Sequence, residues 1–203
     1  EGYRDESGVD SDSRVETYAA LKLYLDTWRW EGVPFYVRSG KNMPRKLTEI
    51  VVKFKPTPHC LFRQGPLAEQ SLPPNQIVIN VQPEEGIRLR FGGKVPGSRM
   101  QIEPVIMDFD YVQQFNAQPP EAYATLLLDA LRGDQTLFKH RDEIERSWRI
   151  VQPVLDTWAE DASSAMPTYA PHTWGPAEAD ALMDRTDRAW HNPESSPAVA
   201  DVS

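Results

Sequence analysis

The segment from Arg38 to Lys46 combines the residue types and spacing that favour ligand binding most. Four cations fall within these nine residues: Arg38, Lys41, Arg45 and Lys46. Lysine offers a phosphate a mobile point charge, and arginine offers a planar fork of donors. Gly40 would let a ligand approach the backbone, and Ser39 and Asn42 add hydrogen-bonding groups. The segment is therefore interpreted either as a phosphate-binding loop or as a basic surface hairpin.

Gln82 is a second candidate for ligand binding. It ends the polar face of a predicted strand, where its amide could meet a hydroxyl group. The alternative is an ordinary exposed strand residue, and the spacing alone does not separate the two.

No residue of the sequence is assigned a catalytic role. The four histidines are His59, His140, His172 and His191, and none is assigned as a general base. Asp108 and Asp110 share one strand face and could pair as acid and base, but a polar sheet face explains them as well. Gly92-Gly93-Lys94 is interpreted as a hairpin turn, because it is too short for a dinucleotide-binding fingerprint.

Composition restricts the possible partners. Thirty acidic residues against 22 basic ones give a net charge of -8, which disfavours nucleic acid and anionic membranes as partners. The single cysteine, Cys60, can form neither an internal disulfide nor a metal cluster, so a reducing, cytoplasmic location is expected and no metal site is assigned. No apolar run reaches the roughly 18 residues that a membrane span needs.

The first predicted element of the chain is a helix that begins at Ser13 and ends at 32–34. Ser13 and Glu16 match a capping box. Apolar residues follow at three- and four-residue spacing: Val15, Tyr18, Leu21, Leu25 and Trp28. This helix leads into the strand that carries Arg38.

A run of strands is predicted next, because apolar and polar residues alternate with period two. The strands are centred on Phe35–Arg38, Ile50–Lys55, Ile77–Gln82, Ile87–Phe91 and one or two pieces within Met100–Phe109. Short connections such as 82–86 exclude helical crossovers, so the pattern is typical of antiparallel sheet with one buried and one polar face.

Helices are predicted again toward the C-terminal end. Pro119-Pro120 prepares a helix that Gly133 is well placed to terminate. Asp142 and Glu145 resemble another capping box, and Pro153 must kink or break the helix that follows.

Gly175-Pro176 begins a short last helix, and residues 194–203 are expected to form a disordered tail. The order helix, strands, helices predicts an α+β fold, with a large, mainly antiparallel sheet and helices packed on one face.

Several ordered stretches of the sequence also match a known family. They are Glu1–Tyr3, Thr17–Tyr24, Trp28–Lys41, Asn80–Pro83, Pro120–Tyr123, Leu127–Asp129, Trp148–Ile150 and Gly175–Asp180. In these stretches the sequence resembles the C-terminal domain of glucose-6-phosphate dehydrogenases, from residue 1 to about Pro193. So many matches in the same order along the chain make the resemblance specific to this family.

The resemblance implies a role in oxidising glucose 6-phosphate to 6-phosphogluconolactone with reduction of NADP, in the oxidative pentose phosphate pathway. By resemblance, Lys41 and Lys46 contact the sugar phosphate or nearby hydroxyls, and Gln82 lies near the sugar. The family's C-terminal sheet also forms its dimer interface, so a homodimer or higher homo-oligomer through the sheet is expected. Asn80 stands where a cation would help a second, structural NADP site, which is therefore not expected.

The resemblance also implies what this sequence lacks. The family's substrate-binding motif is not in the sequence, and neither are its catalytic histidine, the partner aspartate of that histidine and the glycine-rich coenzyme turn. Residues 1–193 are thus expected to form the substrate-side and dimerisation domain, without the Rossmann domain that mainly binds NADP, and to be inactive alone. The alternatives are a non-catalytic self-association module and a sugar-phosphate-binding module.

Overall fold

The computed structural model describes residues 2–56, 74–98, 101–116, 120, 122–161, 165–184 and 188–193. The chain divides into two compact units, Glu1–Val51 with Met166–Ser203, and Val52–Ala165. The strands are β1 Tyr18–Leu23, β2 Phe35–Gly40, β3 Thr48–Lys53, β4 Gln76–Gln82, β5 Gly86–Lys94 and β6 Ile102–Asp110. The helices are α1 Tyr111–Phe115, α2 Ala122–Arg132, α3 Arg141–Glu160 and α4 Ala177–Asp184, and a short 3-10 helix covers Tyr3–Asp5.

The first unit is built on a two-stranded antiparallel ladder of β1 and β2. Tyr18 pairs with Gly40 at one end and Leu23 pairs with Phe35 at the other. Helix α4 packs against β1. The ladder places the N-terminal end of β1 beside the C-terminal end of β2, where the basic loop that carries Lys41 and Lys46 begins.

The predicted helix from Ser13 is wrong, because this stretch contains strand β1. The Ser13 hydroxyl accepts a bond from the Val15 amide at 3.4 Å instead of capping a helix. Tyr18 to Leu21 are all partly buried, so the strand is covered on both faces and lacks the alternation that marks a half-exposed strand. Apolar residues at three- and four-residue spacing fit such a short buried strand as well as a helix, and pairing with β2 decides between them.

The second sheet has four strands in the order β3-β4-β5-β6. The β4–β5 and β5–β6 pairs are antiparallel, with Ile79 opposite Ile87 and Leu89 opposite Met107. The predicted strands from Phe35 onward therefore correspond to β2–β6. With the four described α-helices after the strands in sequence, the α+β class and the mainly antiparallel sheet are confirmed.

One face of β5 and β6 is apolar and remains exposed in this chain. It carries three cross-strand pairs: Ile87 with Phe109, Leu89 with Met107, and Phe91 with Val105. Met107 is 58% exposed and Phe109 is 37% exposed. The alternation was interpreted as one buried and one polar face, but the described part of the chain does not bury the apolar one.

The ends of the helices agree with the capping residues predicted from sequence, except that the N-cap of α3 lies two residues earlier than predicted. Gly133 ends α2 at φ 74°, with its amide bonded to the Ala130 carbonyl and the Asp134 amide bonded to the Asp129 carbonyl, which is a Schellman cap. Helix α3 is capped by His140 with Glu143, two residues before the predicted box.

Pro153 does not break helix α3, which continues from Arg141 to Glu160. Helix α4 begins directly after Gly175-Pro176, as predicted. The expected tail at 194–203 lies outside the described residues.

Candidate functional site

The loop between β2 and β3 carries both candidate lysines. Lys41 directly follows β2, and its amide donates to the Thr17 carbonyl at 2.8 Å, which extends the ladder by one bond. Lys41 and Lys46 are both exposed. Two cations therefore reach solvent from one short loop anchored at the end of a strand.

A segment that is distant in sequence holds the start of this loop. The Tyr169 hydroxyl lies 2.7 Å from the Lys41 carbonyl and 3.1 Å from the Thr17 carbonyl. The His172 amide donates to the Asn42 carbonyl at 2.8 Å. Asn42 has φ 50°, a left-handed conformation that asparagine tolerates better than most residues. Both carbonyls at the start of the loop are thus fixed by residues 169–172.

Gly40 has a packing role. A Cβ at this position would lie 2.6 Å from Cδ2 of Tyr18 and 3.0 Å from Sδ of Met43. The sequence pattern predicted space for an approaching ligand, but the structure fills that space with the Tyr18 ring.

Arg38 is used inside the first unit. Its guanidinium lies 5.0 Å from the Trp174 ring centroid and 4.9 Å from that of Trp190. It donates to the His191 carbonyl at 2.7 Å and to Asn192 Oδ1 at 2.6 Å. Burial lowers the pKa of Arg38, although the arginine stays charged. Its partners make it a structural cation, and the two exposed lysines of the segment, Lys41 and Lys46, stay the candidates for binding a ligand.

Glu49, in β3, faces this buried arginine. Its side chain is 13% exposed and its Oε2 lies 3.9 Å from Nε2 of His191. Burial raises the pKa of Glu49, while the charges of Arg38 and Arg45 act in the opposite direction. The carboxylate therefore balances the arginine at the base of the loop.

An open cavity of about 410 Å³ lies beside Lys41. Its lining includes Glu6, Glu16, Asn42 and Tyr169 as well as Lys41. The loop start thus borders a concave surface of mixed charge that a polar ligand could enter.

Gln82 lies in the second unit as the last residue of β4, and it is exposed. A cis peptide bond joins it to Pro83 at the start of the short connection to β5. The position at the end of a strand agrees with the sequence interpretation, and the role of Gln82 in binding stays a prediction.

The other candidate groups have structural partners. Asp108 pairs with Arg88 across β5 and β6, and Asp110 caps α1 by accepting from the Gln113 amide at 2.8 Å. His140 caps α3, while His59 and Cys60 lie outside the described residues. Within the described ranges, no group of three or more histidine, cysteine, aspartate or glutamate side chains is placed to hold a metal ion.

Gly92 and Gly93 lie within β5, opposite Pro104 and Glu103, so the predicted hairpin turn is wrong. A Cβ on Gly93 would lie 2.5 Å from Cγ2 of Val105, which explains glycine inside this strand. Among the described strands, none is joined to a helix by a glycine-rich turn, so these residues do not form a Rossmann-type coenzyme cradle.

Sequence reasoning missed the residues that support the loop from afar, namely Tyr169, His172, Trp174 and Trp190. They lie between 166 and 193, where the sequence analysis predicted a short helix and no site. The only signal was the aromatic content of this stretch, which is unusual for an exposed connection.

The sequence of residues 1–191 matches the family described as "Glucose-6-phosphate dehydrogenase, C-terminal domain". The chain belongs to this family. The resemblance inferred from the motifs is therefore confirmed.

Named relatives agree with this family assignment. The chain is 46% identical over 189 residues to the glucose-6-phosphate 1-dehydrogenase of Chlamydia pneumoniae, and 44% identical over 189 residues to that of Mycolicibacterium smegmatis. Each alignment covers 93% of this chain but 37% of the relative. The chain thus spans less than two fifths of the length of these glucose-6-phosphate dehydrogenases.

Solved structures of glucose-6-phosphate dehydrogenases share the fold. The crystal structure of the enzyme from Mycobacterium avium matches with a TM-score of 0.77 at 36% identity, over 97% of this chain and 40% of that one. A glucose-6-phosphate dehydrogenase in complex with its substrate glucose-6-phosphate matches with a TM-score of 0.80 at 29% identity, over 94% of this chain and 38% of that one.

No helix in the described part of the chain combines the length and hydropathy that would be needed to cross a membrane.

Proposed function

We propose that this chain acts as the C-terminal part of an NADP-dependent glucose-6-phosphate dehydrogenase, which oxidises glucose 6-phosphate to 6-phosphogluconolactone. The observation that carries the proposal is the family match over residues 1–191. The similarity to a structure solved with glucose-6-phosphate supports the choice of substrate. The reaction would belong to the oxidative pentose phosphate pathway in the cytoplasm.

In this proposal, Lys41 and Lys46 bind the sugar phosphate or nearby hydroxyls. Both are exposed cations on one anchored loop, and an ammonium group gains a charge-assisted bond to a phosphate oxygen. Gln82, an exposed amide at a strand end, would contact a sugar hydroxyl. These residues hold and orient the substrate, and none of them takes the hydroxyl proton.

The base and the coenzyme site are assigned to the remainder of the enzyme. NADP accepts the hydride when it is bound. The described residues do not form a coenzyme cradle, so none of them is assigned to NADP binding. The relatives are more than twice as long as the region they share with this chain, which leaves room for a coenzyme domain. We therefore expect the 203-residue chain to be inactive alone.

The lysine assignment is tested by Lys41→Ala and Lys46→Ala in the complete enzyme that carries this domain. Each change should raise the KM for glucose 6-phosphate about tenfold or more, since a lost charged contact is worth roughly 1.5–3 kcal/mol. The KM for NADP should stay within about twofold, and Lys139→Ala, an exposed lysine of the second unit, serves as the charge-matched control. An unchanged KM for glucose 6-phosphate in Lys41→Ala would contradict this role.

We also propose that the domain forms a homodimer or higher homo-oligomer through its larger sheet. The exposed apolar face of β5 and β6 supports this, because such faces mark protein interfaces. The same face supports the second candidate function, a non-catalytic self-association module. An enzyme assay separates the two: the complete protein should form NADPH from glucose 6-phosphate and NADP, and a self-association module should not.

A further inference from the structure

The Tyr169 hydroxyl joins two backbone positions at the open end of the small ladder. Strand β1 begins at Tyr18 and β2 ends at Gly40, so Thr17 and Lys41 are the residues just outside the paired strands. The hydroxyl lies 2.7 Å from the Lys41 carbonyl and 3.1 Å from the Thr17 carbonyl. Its single proton is shared between the two acceptors, with the shorter bond to Lys41.

The ring of Tyr169 is itself held in place. It packs against the Tyr18 ring with centroids 5.4 Å apart and an interplanar angle of 57°. The next contact along the same segment, from the His172 amide to the Asn42 carbonyl, fixes the residue that follows Lys41. The backbone at Lys41 is thus fastened from the strand side by Thr17 and from the other side by residues 169–172.

We propose that Tyr169 is a positioning residue for Lys41 in the sugar-phosphate site. This inference rests on the proposed role of Lys41 in binding glucose 6-phosphate. A lysine side chain has several freely rotating bonds, so the position of its ammonium group depends on the position of the backbone to which the side chain is attached. In this role Tyr169 needs no contact with the substrate: it fixes the Lys41 carbonyl, so that the ammonium group samples a smaller volume around the phosphate.

The test is Tyr169→Phe in the complete dehydrogenase, because phenylalanine keeps the ring and removes only the hydroxyl. We expect the KM for glucose 6-phosphate to rise about three- to tenfold while kcat changes less than about twofold, since the contact is made equally in the bound and transition states. Tyr24→Phe is the matched control, because Tyr24 is an exposed tyrosine that follows the other end of β1.

A substrate without a phosphate separates positioning from general damage. Free glucose cannot use a phosphate contact, so Tyr169→Phe should leave kcat/KM for glucose within about twofold of the native enzyme. Equal losses for glucose and glucose 6-phosphate would overturn the inference, because a defect of folding or of the base would impair both substrates.

A double-mutant cycle tests whether Tyr169 acts through Lys41. In a Lys41→Ala background, Tyr169→Phe should add less than about a twofold change in the KM for glucose 6-phosphate, because the group that it positions is gone. Additive effects of the two substitutions would overturn the inference.

The same set of variants separates this inference from the proposed function. If Lys41→Ala leaves the KM for glucose 6-phosphate unchanged, the lysine assignment fails and the inference with it. If Lys41→Ala raises that KM and Tyr169→Phe does not, the inference alone fails. All assays are made at a temperature at which circular dichroism shows each variant folded, so a loss of stability cannot imitate either result.

Discussion

At the scale of single residues, Glu49 shows how burial and charge compete. Its carboxylate is largely removed from water, with Arg38 and Arg45 as the nearby cations and His191 Nε2 at 3.9 Å. Burial penalises the ionised form more than the arginines favour it, so the pKa of Glu49 lies above its ordinary value of 4.5.

This shift predicts a pH dependence of stability. A carboxyl group with a raised folded pKa contributes stability that is fully present below its unfolded pKa, and that contribution is lost as pH rises through the folded pKa. When the pH is raised from about 4.5 to neutrality, the midpoint temperature of thermal unfolding should therefore fall further for the native protein than for Glu49→Gln.

Thermal unfolding at several pH values measures this difference. Glu31→Gln, an exposed carboxylate in the same unit, is the control and should follow the native curve. Parallel curves for the native protein and Glu49→Gln would show that burial of Glu49 does not cost stability.

The basic segment illustrates what single residues reveal from sequence. The cluster of four cations correctly marked an exposed loop after a strand, and Lys41 and Lys46 lie there. The use of Arg38 inside the unit was not predictable, because Trp174 and Trp190 reach it from more than 130 positions away along the chain. Residue type and local spacing carry no information about such distant partners.

At the scale of elements, the 188–193 segment is fastened to β2 mainly through Arg38. The arginine contacts the Trp190 ring and bonds both the His191 carbonyl and the Asn192 side chain. A second attachment, from the Trp190 indole to the Ala179 carbonyl at 3.0 Å, ties the segment to α4. The Tyr36 ring of β2 adds a T-shaped contact with the Trp190 ring, with centroids 6.2 Å apart, so Arg38 is one of several attachments.

Arg38→Lys should release this segment from β2. Lysine keeps the charge but cannot stack between two rings and donate to two acceptors at once, so we expect a loss of about 1–3 kcal/mol in the free energy of unfolding. Hydrogen exchange of the peptide covering 188–193 should speed up, as measured by mass spectrometry.

Arg29→Lys, an exposed arginine between β1 and β2, is the matched control and should change neither quantity. Unchanged protection of 188–193 in Arg38→Lys would mean that the other contacts of the segment, with α4, Tyr36 and Glu49, suffice to hold it.

The elements also show where pattern analysis succeeds. Strands β4–β6 alternate along their length, and β2 and β3 do so over shorter runs, so period two located them. Strand β1 has no such alternation, because both of its faces are covered, and its apolar spacing matched a helix instead. Pairing with β2 decides its conformation, and that pairing is a long-range effect.

At the scale of the whole molecule, the proposed self-association through the larger sheet predicts opposite effects for substitutions at two adjacent residues of β6. Met107 and Ile106 are adjacent and almost equally exposed, at 58% and 57%, but they point to opposite faces of β6. Met107 lies in the apolar face with Leu89, whereas Ile106 lies on the face that carries the Arg88–Asp108 pair.

Met107→Lys should dissociate the oligomer, because a lysine in the centre of an apolar interface must be desolvated without a partner. Ile106→Lys should leave the mass unchanged if the other face is free of the interface. Size-exclusion chromatography with light scattering measures both. An identical shift in the two variants would contradict an interface on the apolar face.

The fold class was predictable although the first predicted helix is strand β1, since the alternating strands and the helices that follow them were recognised from their periodicity. The composition of the site was predictable only in part. The charges of Lys41 and Lys46 predict an anion site, whereas Tyr169 bonds to the backbone carbonyl of Lys41, a contact that leaves no mark on the pattern of side chains.

The ring of Tyr18 touches two glycines that are far apart in sequence. A Cβ on Gly40 would lie 2.6 Å from this ring, and a Cβ on Gly175 would lie 2.5 Å from it. One volume is thus shared among three positions, so their evolution should be linked. Homologues with alanine at position 40 should carry a smaller residue at position 18, so substitutions at the start of the loop that carries Lys41 should be accompanied by substitutions in β1.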